Sequence, residues 1–296
     1  GHAFEHYVNF LVSTSGGGLE GRKVFIDAAN GAASAVAPEV FRRLGMEVRS
    51  IGDQPDGKNI NDACGSLFPG KLSEGIRGSG FDIGFCFDGD ADRLIPISAA
   101  GTIFDGDLVL ALGGRHYQAA ENLPGNAVVA TVMSNIGLER SLGESGIQLI
   151  RTSVGDRNVY SRMREGGHPV GGEQSGHIIF MDHSSTGDGV LASIQMMDFL
   201  RDQDLDLDTA SGIMTSYPQV LMNVKVRERV PLEEVGALQE VVGKVEAQLG
   251  GEGRVLLRYS GTEPLLRVML EGPQQELVEQ LCEEICGVIR DAMGEQ

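Results

Sequence analysis

At 296 residues, 41% of them hydrophobic, the chain is long enough for two or three domains with real cores. Its 42 acidic residues against 24 basic ones leave a net charge of −18, a field that excludes nucleic acid or an anionic membrane as the natural partner. No apolar run approaches the roughly 20 residues of a membrane span, and no signal peptide precedes the first strand. Four cysteines (Cys64, Cys86, Cys282, Cys286) lack zinc-type pairing and read as small buried hydrophobes in a reducing cytoplasm.

The chain opens Gly1-His2 in place of Met, which reads as a processed or partial polypeptide. Phe4, Tyr7, Val8, Phe10 and Leu11 are spaced for a short helix, followed by a Ser/Gly linker over 13–18. Gly16, Gly18 and Gly21 spell a dinucleotide fingerprint, but it precedes the strand Lys23-Val24-Phe25-Ile26 where the motif must follow one. That reading is discarded.

Two αβ units then resemble each other. The first runs from Val24–Ile26 through Asn30-Gly31, a helix around Val40, Phe41 and Leu44, and a strand at 47–49. The second runs from Val128–Ala130 through Asn135 and Gly137, a helix around Leu138 and Leu142, and a strand at 147–150. Strands alternating with helices predict α/β layers with mixed, mainly parallel sheets. After about residue 212 the pattern changes to β-α-β-β-α: strand 220–226, helix 231–249, strands 254–259 and 265–270, and a last helix starting at Pro273. The expected division is a leading tail at 1–20, α/β domains at 21–120 and 121–212, and a small α+β domain at 213–296.

Between the two units, Asp88, Asp90 and Asp92 stand at alternate positions after the apolar run 81–87 and end at Arg93. On an extended backbone that alternation throws the three carboxylates to one side. Their mutual repulsion points to a hard divalent cation, Mg²⁺ above all. An EF-hand is excluded because Arg93 and Ala99 occupy the positions of its Gly and Glu. A solvated acidic turn is the bland alternative.

Three other loops carry candidate chemistry. In Gly171-Gly172-Glu173-Gln174-Ser175-Gly176-His177, Glu173 and Ser175 can grip sugar hydroxyls, and His177 suits proton transfer. Taken alone, this loop reads better as a polar turn with a hydrogen-bonded histidine. Thr152–Arg157, with Gly155, Asp156 and Arg157 as candidate substrate contacts, is a weak signal by itself. The hairpin Arg258–Arg267 sets two arginines around a turn of hydroxyls and N–H groups that can cradle phosphate. His168 and His183 read as surface or turn residues.

Together these loops resemble the α-D-phosphohexomutase superfamily, whose members carry D-G-D-x-D-R, G-E-x-S-G-H and R-x-S-x-T loops in this order. Gln174, Glu263, Pro55-Asp56-Gly57 with Asn59-Ile60-Asn61, and Ser185–Gly189 look like its phosphoglucosamine mutase branch. The resemblance implies interconversion of glucosamine 6-phosphate and glucosamine 1-phosphate for cell-wall precursors, through a phosphoserine and a bisphosphate intermediate. It implies Mg²⁺ on Asp88, Asp90 and Asp92, charge neutralisation by Arg93, and proton transfer by His177. Glu173 and Ser175 would hold the sugar, and Arg258, Ser260, Gly261, Thr262 and Arg267 the phosphate that is not reacting. A phosphosugar substrate and no nucleic acid or membrane partner are expected, and a homodimer is compatible with the reading. The family's S-A-S-H-N-P phosphoserine loop occurs nowhere in the 296 residues. The chain therefore reads as the last three of four domains, without turnover by itself. Three alternatives stay open: a non-catalytic phosphosugar-binding module, phosphomannomutase/phosphoglucomutase-type specificity, and an aspartyl phosphatase, which Asp92 at the fifth position of the motif counts against.

Overall fold

In the computed structural model, which describes residues 1–261 and 263–294, the chain opens with α1 (His2–Ser13). It continues through β1 (Lys23–Asp27), α2 (Ala33–Arg43), β2 (Glu47–Ile51), α3 (Gly70–Ile76), β3 (Ile83–Phe87) and β4 (Leu94–Ser98). These strands form one sheet of order β2-β1-β3-β4, in which β1 runs parallel to β2 and β3 while β4 returns antiparallel on β3. The return is forced by length. A parallel partner needs a crossover of a dozen or more residues, and only Asp88–Arg93 join β3 to β4. β3 is buried throughout, with Phe85 stacked on Phe41 of α2 and Cys86 facing the cluster of Phe25, Leu72 and Ile76 under α3.

The second layer repeats this plan. It comprises α4 (Gly106–Ala119), β5 (Ala127–Thr131), α5 (Ile136–Glu144), β6 (Gln148–Thr152), α6 (Asp156–Gly166), β7 (Val170–Gly172), β8 (Ile178–Phe180), α7 (Gly189–Asp202) and the short α8 (Leu207–Ala210). Its order, β6-β5-β7-β8, matches the first sheet strand for strand, including the antiparallel last pair joined by a short hairpin. The resemblance in the sequence covered only the first αβ portion of each unit. α4, grouped with the first layer from the sequence, packs on β5, β7 and β8 and on α7. α7 is buried from Gly189 to Leu200 because strands of both sheets, α1 and α4 pack on it.

The chain divides into two compact units, Gly1–Ser134 with Leu138–Thr215, and Asn135–Gly137 with Ser216 onwards. The second holds β9 (Gln219–Lys225), α9 (Gly236–Leu249), β10 (Arg254–Tyr259), β11 (Leu265–Glu271) and α10 (Gln275–Met293). Its antiparallel sheet, β10-β11-β9, buries Val224, Leu266, Val268 and Leu270 against Leu238, Val241 and Val245 of α9 and Leu281, Ile285 and Ile289 of α10.

Two helix starts differ from the sequence expectation. Pro231 precedes a single 3-10 turn, and the α-helix proper begins at Gly236. Pro273 lies outside α10, whose N-cap is Gln274. Proline disfavours helical backbone at the residue before it, so it marks where the approach to a helix can end without fixing the first turn. All four cysteines are buried and free, as expected. Among the described residues no helix is long and apolar enough to cross a membrane.

Candidate active site

The acidic loop lies at the β3–β4 hairpin, but not as an extended strand. Residues 88–92 form a turn in which Ala91 takes a left-handed φ of 62°. The turn, and not alternation along a strand, gathers the carboxylates: one oxygen each from Asp88, Asp90 and Asp92 lies within 4.8 Å of the others. Burial, followed by the charge of Asp92, pushes the Asp88 carboxyl up to about 7. Arg93 folds back on the same carboxylates, its Nε 3.7 Å from both Asp88 Oδ2 and Asp92 Oδ1. Asp92 Oδ1 is buried without a hydrogen-bond donor. A set of hard carboxylate oxygens with one buried acceptor left open fits a divalent cation better than it fits the free carboxylates.

The sugar loop lies at the equivalent hairpin of the second sheet, between β7 and β8. The two hairpins are stitched together. Leu94 donates its N–H to Gly176 O at 3.0 Å, and Arg93 and His177 form a β-bridge. Gly176 has φ +94°, and a Cβ there would collide with the Leu94 carbonyl, so only glycine serves. His177 is buried, with Nδ1 3.0 Å from Asp92 Oδ2 and Nε2 accepting the Gly187 N–H at 3.1 Å. Because Nε2 accepts, the ring proton sits on Nδ1 and points at Asp92. A Cβ on Gly187 would strike the imidazole. With both nitrogens engaged, the ring supports a candidate metal ligand and has no free nitrogen for the proton transfer expected from the sequence.

Glu173 Oε1 accepts the Gly155 N–H at 3.0 Å, a contact between two separately chosen candidate loops, and Oε2 lies 3.4 Å from Ser175 Oγ. Asp156 and Arg157 are exposed on the first turn of α6 and line a depression of about 190 Å³ with Tyr160, Ile179, Ser185 and Thr186. Thr186 also lines a larger cavity of about 440 Å³ that reaches Asp90, Asp92, Gly187 and Tyr7. Gln174, by contrast, hydrogen-bonds Asp105 at the N-cap of α4 and so helps shape the loop. The segment Ser185–Gly189, noticed in the sequence as a family marker, supplies the backbone donor to His177. No local signal assigns it that role.

His168, expected at the surface or in a turn, lies in the turn that closes α6 and is buried there, with Nδ1 3.0 Å from the Pro124 carbonyl. His183 sits half-buried in a turn beside the larger cavity.

In the C-terminal unit, Arg258 and Arg267 are direct cross-strand partners on β10 and β11. Both Nε atoms are buried without an acceptor. Burial, and then the charge of Arg267, lowers the Arg258 pKa. Two like charges held opposite each other are destabilising unless an anion lies between or above them. Ser260 is buried and donates its N–H to Leu265 O at 2.8 Å, closing the turn. Thr262 lies outside the described residues. Arg229, not singled out in the sequence, bonds the carbonyls of this turn.

The models for phosphoglucomutase/phosphomannomutase alpha/beta/alpha domains II and III match residues 4–101 and 105–217, and that for the C-terminal domain matches 221–288. A phosphoglucosamine mutase of Desulfovibrio desulfuricans is 48% identical over 271 residues, spanning 92% of this chain and 60% of that protein. One from Symbiobacterium thermophilum is 46% identical over 288 residues, 97% of this chain and 64% of its own. The chain thus spans a little under two thirds of the length of these curated relatives.

The fold agrees with a Burkholderia thailandensis phosphoglucomutase/phosphomannomutase family protein at TM-score 0.78 and 22% identity, over 98% of this chain and 64% of that one. It also agrees with Aspergillus fumigatus N-acetylphosphoglucosamine mutase, described in complex with GlcNAc-6P and magnesium, at TM-score 0.77 and 19% identity, over 96% and 70%. With three consecutive domain models matched along the chain and a turn of three aspartates on the β3–β4 hairpin, the chain belongs to the phosphoglucomutase/phosphomannomutase family of α-D-phosphohexomutases.

Proposed function

We propose that this chain carries the metal, sugar and distal-phosphate sites of a phosphoglucosamine mutase, an isomerase interconverting glucosamine 6-phosphate and glucosamine 1-phosphate in cytoplasmic amino-sugar synthesis. The observation that carries the reading is the Asp88–Asp90–Asp92 turn facing the larger cavity, with a buried carboxylate oxygen left open. The relatives named phosphoglucosamine mutase support the choice of sugar.

In this reading Asp88, Asp90 and Asp92 hold Mg²⁺. When bound, the cation neutralises charge on the phosphoryl group in transit, the main demand of phosphoryl transfer. Arg93, beside two of the carboxylates, adds a guanidinium to the same field. His177 fixes Asp92 through its Nδ1–H and acts as a positioning residue. Glu173 and Ser175 offer acceptor and donor to sugar hydroxyls, with Glu173 oriented by the Gly155 amide. Asp156 and Arg157 line the adjoining depression. Arg258, Ser260, Gly261 and Arg267, with Thr262, take the phosphate that stays in place; the arginine pair supplies the charge. The phosphoryl carrier is a serine that these 296 residues do not provide in the family's form.

Calorimetric titration with Mg²⁺ and a coupled glucosamine 1-phosphate assay test this reading. The chain is expected to bind one Mg²⁺, Asp90→Asn to abolish binding, and the chain alone to give no product. Fused behind a domain bearing the family's S-A-S-H-N-P loop, it is expected to turn over. A fusion that binds Mg²⁺ but makes no glucosamine 1-phosphate would sink the activity. Turnover by the chain alone would sink the need for an outside serine.

A further inference from the structure

The turn between β10 and β11 has two edges. A phosphate is attracted by backbone N–H groups and repelled by carbonyl oxygens, so a phosphate-binding turn must face its carbonyls elsewhere. Here they are gathered by one side chain from outside the turn. Arg229 Nη2 donates to the carbonyls of Ser260, of Gly261 at 3.3 Å, and of Glu263 at 3.1 Å. The next carbonyl, Pro264, accepts the Val226 N–H at 3.0 Å.

The segment bearing Arg229 is itself fixed to the hairpin. Tyr259 Oη donates to Val230 O at 2.7 Å and accepts the Val230 N–H at 3.2 Å. The Arg229 guanidinium lies 6.0 Å from the centre of the Tyr259 ring. Among the described residues, the amides of Gly261 and Glu263 donate to no protein group.

We propose that Arg229 is a positioning residue for phosphate: it holds the carbonyls of Ser260, Gly261 and Glu263 and thereby presents the amides of Gly261 and Glu263 to the anion that Arg258 and Arg267 attract. This rests on the reading of that hairpin as a phosphate site. The guanidinium fork explains why arginine stands here. Its N–H groups lie in one plane and can span several carbonyls, whereas an ammonium is a point charge on a flexible stem.

The test is titration of the full 296-residue chain with inorganic phosphate and with glucosamine 6-phosphate at low salt. Wild type, Arg229→Met, Arg229→Lys and Tyr259→Phe are compared, with Mg²⁺ titration and thermal melting as controls. The expected result is an approximately tenfold rise in Kd for Arg229→Met, less than half of the loss recovered by Lys, and a smaller rise for Tyr259→Phe, with Mg²⁺ binding unchanged. The Gly261 amide resonance should shift on phosphate addition in wild type and respond weakly in Arg229→Met.

An Arg229→Met chain that binds phosphate like wild type overturns the inference alone. So does full rescue by Lys, which reduces Arg229 to a charge. If Arg229→Met fails to fold, unchanged affinity in both Arg229→Lys and Tyr259→Phe overturns it. A wild-type chain indifferent to phosphate overturns the phosphate reading of the hairpin and this inference with it.

Discussion

His177 reaches Asp92 from the opposite sheet, 85 positions away in the chain, and its Nδ1 lies 3.0 Å from Asp92 Oδ2. The contact ties a residue of the sugar loop to a carboxylate of the metal loop. Gly187 completes the arrangement by occupying Nε2 from behind. Either end of this chain of bonds is therefore expected to affect the other.

His177→Leu keeps an apolar filler but removes both ring nitrogens. The Gly187 N–H loses its acceptor, at a cost of about 1–3 kcal/mol in stability, and Asp92 loses its orienting donor. Mg²⁺ affinity should fall about 10–100-fold, in the range of other partners that orient metal ligands. Calorimetry and urea melts on the same preparation check both numbers. Unaltered Mg²⁺ binding would show that Asp92 needs no support.

Gly176→Ala places a Cβ at a φ of +94° and against the Leu94 carbonyl. The backbone strain alone should cost roughly 1–3 kcal/mol. Equilibrium urea denaturation measures it. A variant as stable as wild type would mean that the seam between the hairpins yields freely.

Arg258→Met removes one member of a like-charged cross-strand pair whose partner is Arg267. The unliganded chain should be unchanged or more stable by up to about 1 kcal/mol, while phosphate affinity drops at least tenfold. Melts with and without phosphate separate the effects, since only wild type should gain stability from the ligand. A large loss of stability without phosphate would instead make Arg258 a structural residue.

Asp188 caps α7, accepting the Leu191 N–H at 2.9 Å and the Tyr7 hydroxyl at 2.6 Å. Burial raises its pKa against the lowering effect of those bonds. The same burial, with the Asp188 charge, pushes the Tyr7 phenol up, so Tyr7 stays a donor. A carboxyl with a raised folded pKa keeps its proton longer when folded. Stability from this residue is therefore full below the unfolded value of about 3.9 and falls as pH rises toward the folded one. Asp188→Asn removes the charge, keeps the Leu191 bond through its amide oxygen, and turns the amide NH2 toward Tyr7 Oη, which then accepts in place of donating. Its melting temperature should exceed wild type at pH 7, with the difference vanishing near pH 3.5. A gain that persists at pH 3.5 would assign the effect to something other than ionisation.

Much of this protein could be read in one dimension because the relevant physics is local. The apolar run ending in Phe87 makes a buried strand, and the acids after it lie within five residues of one another, so any tight turn gathers them. The αβ alternation and the antiparallel last unit follow from periodicity in the same way. What the sequence misjudged locally was backbone shape: alternation suggested an extended strand, whereas the short return to β4 requires a turn at Ala91.

Tertiary structure decided the rest. Nothing near residue 177 announces Asp92 as its partner, nothing near 229 announces the carbonyls of Ser260, Gly261 and Glu263, and nothing near 168 announces that its turn is buried against Pro124. Such contacts arise only when separate strands and loops pack, because a hydrogen bond reaches about 3 Å in space and is indifferent to distance along the chain. The sequence supplied the groups and their chemistry; packing chose which of them face each other.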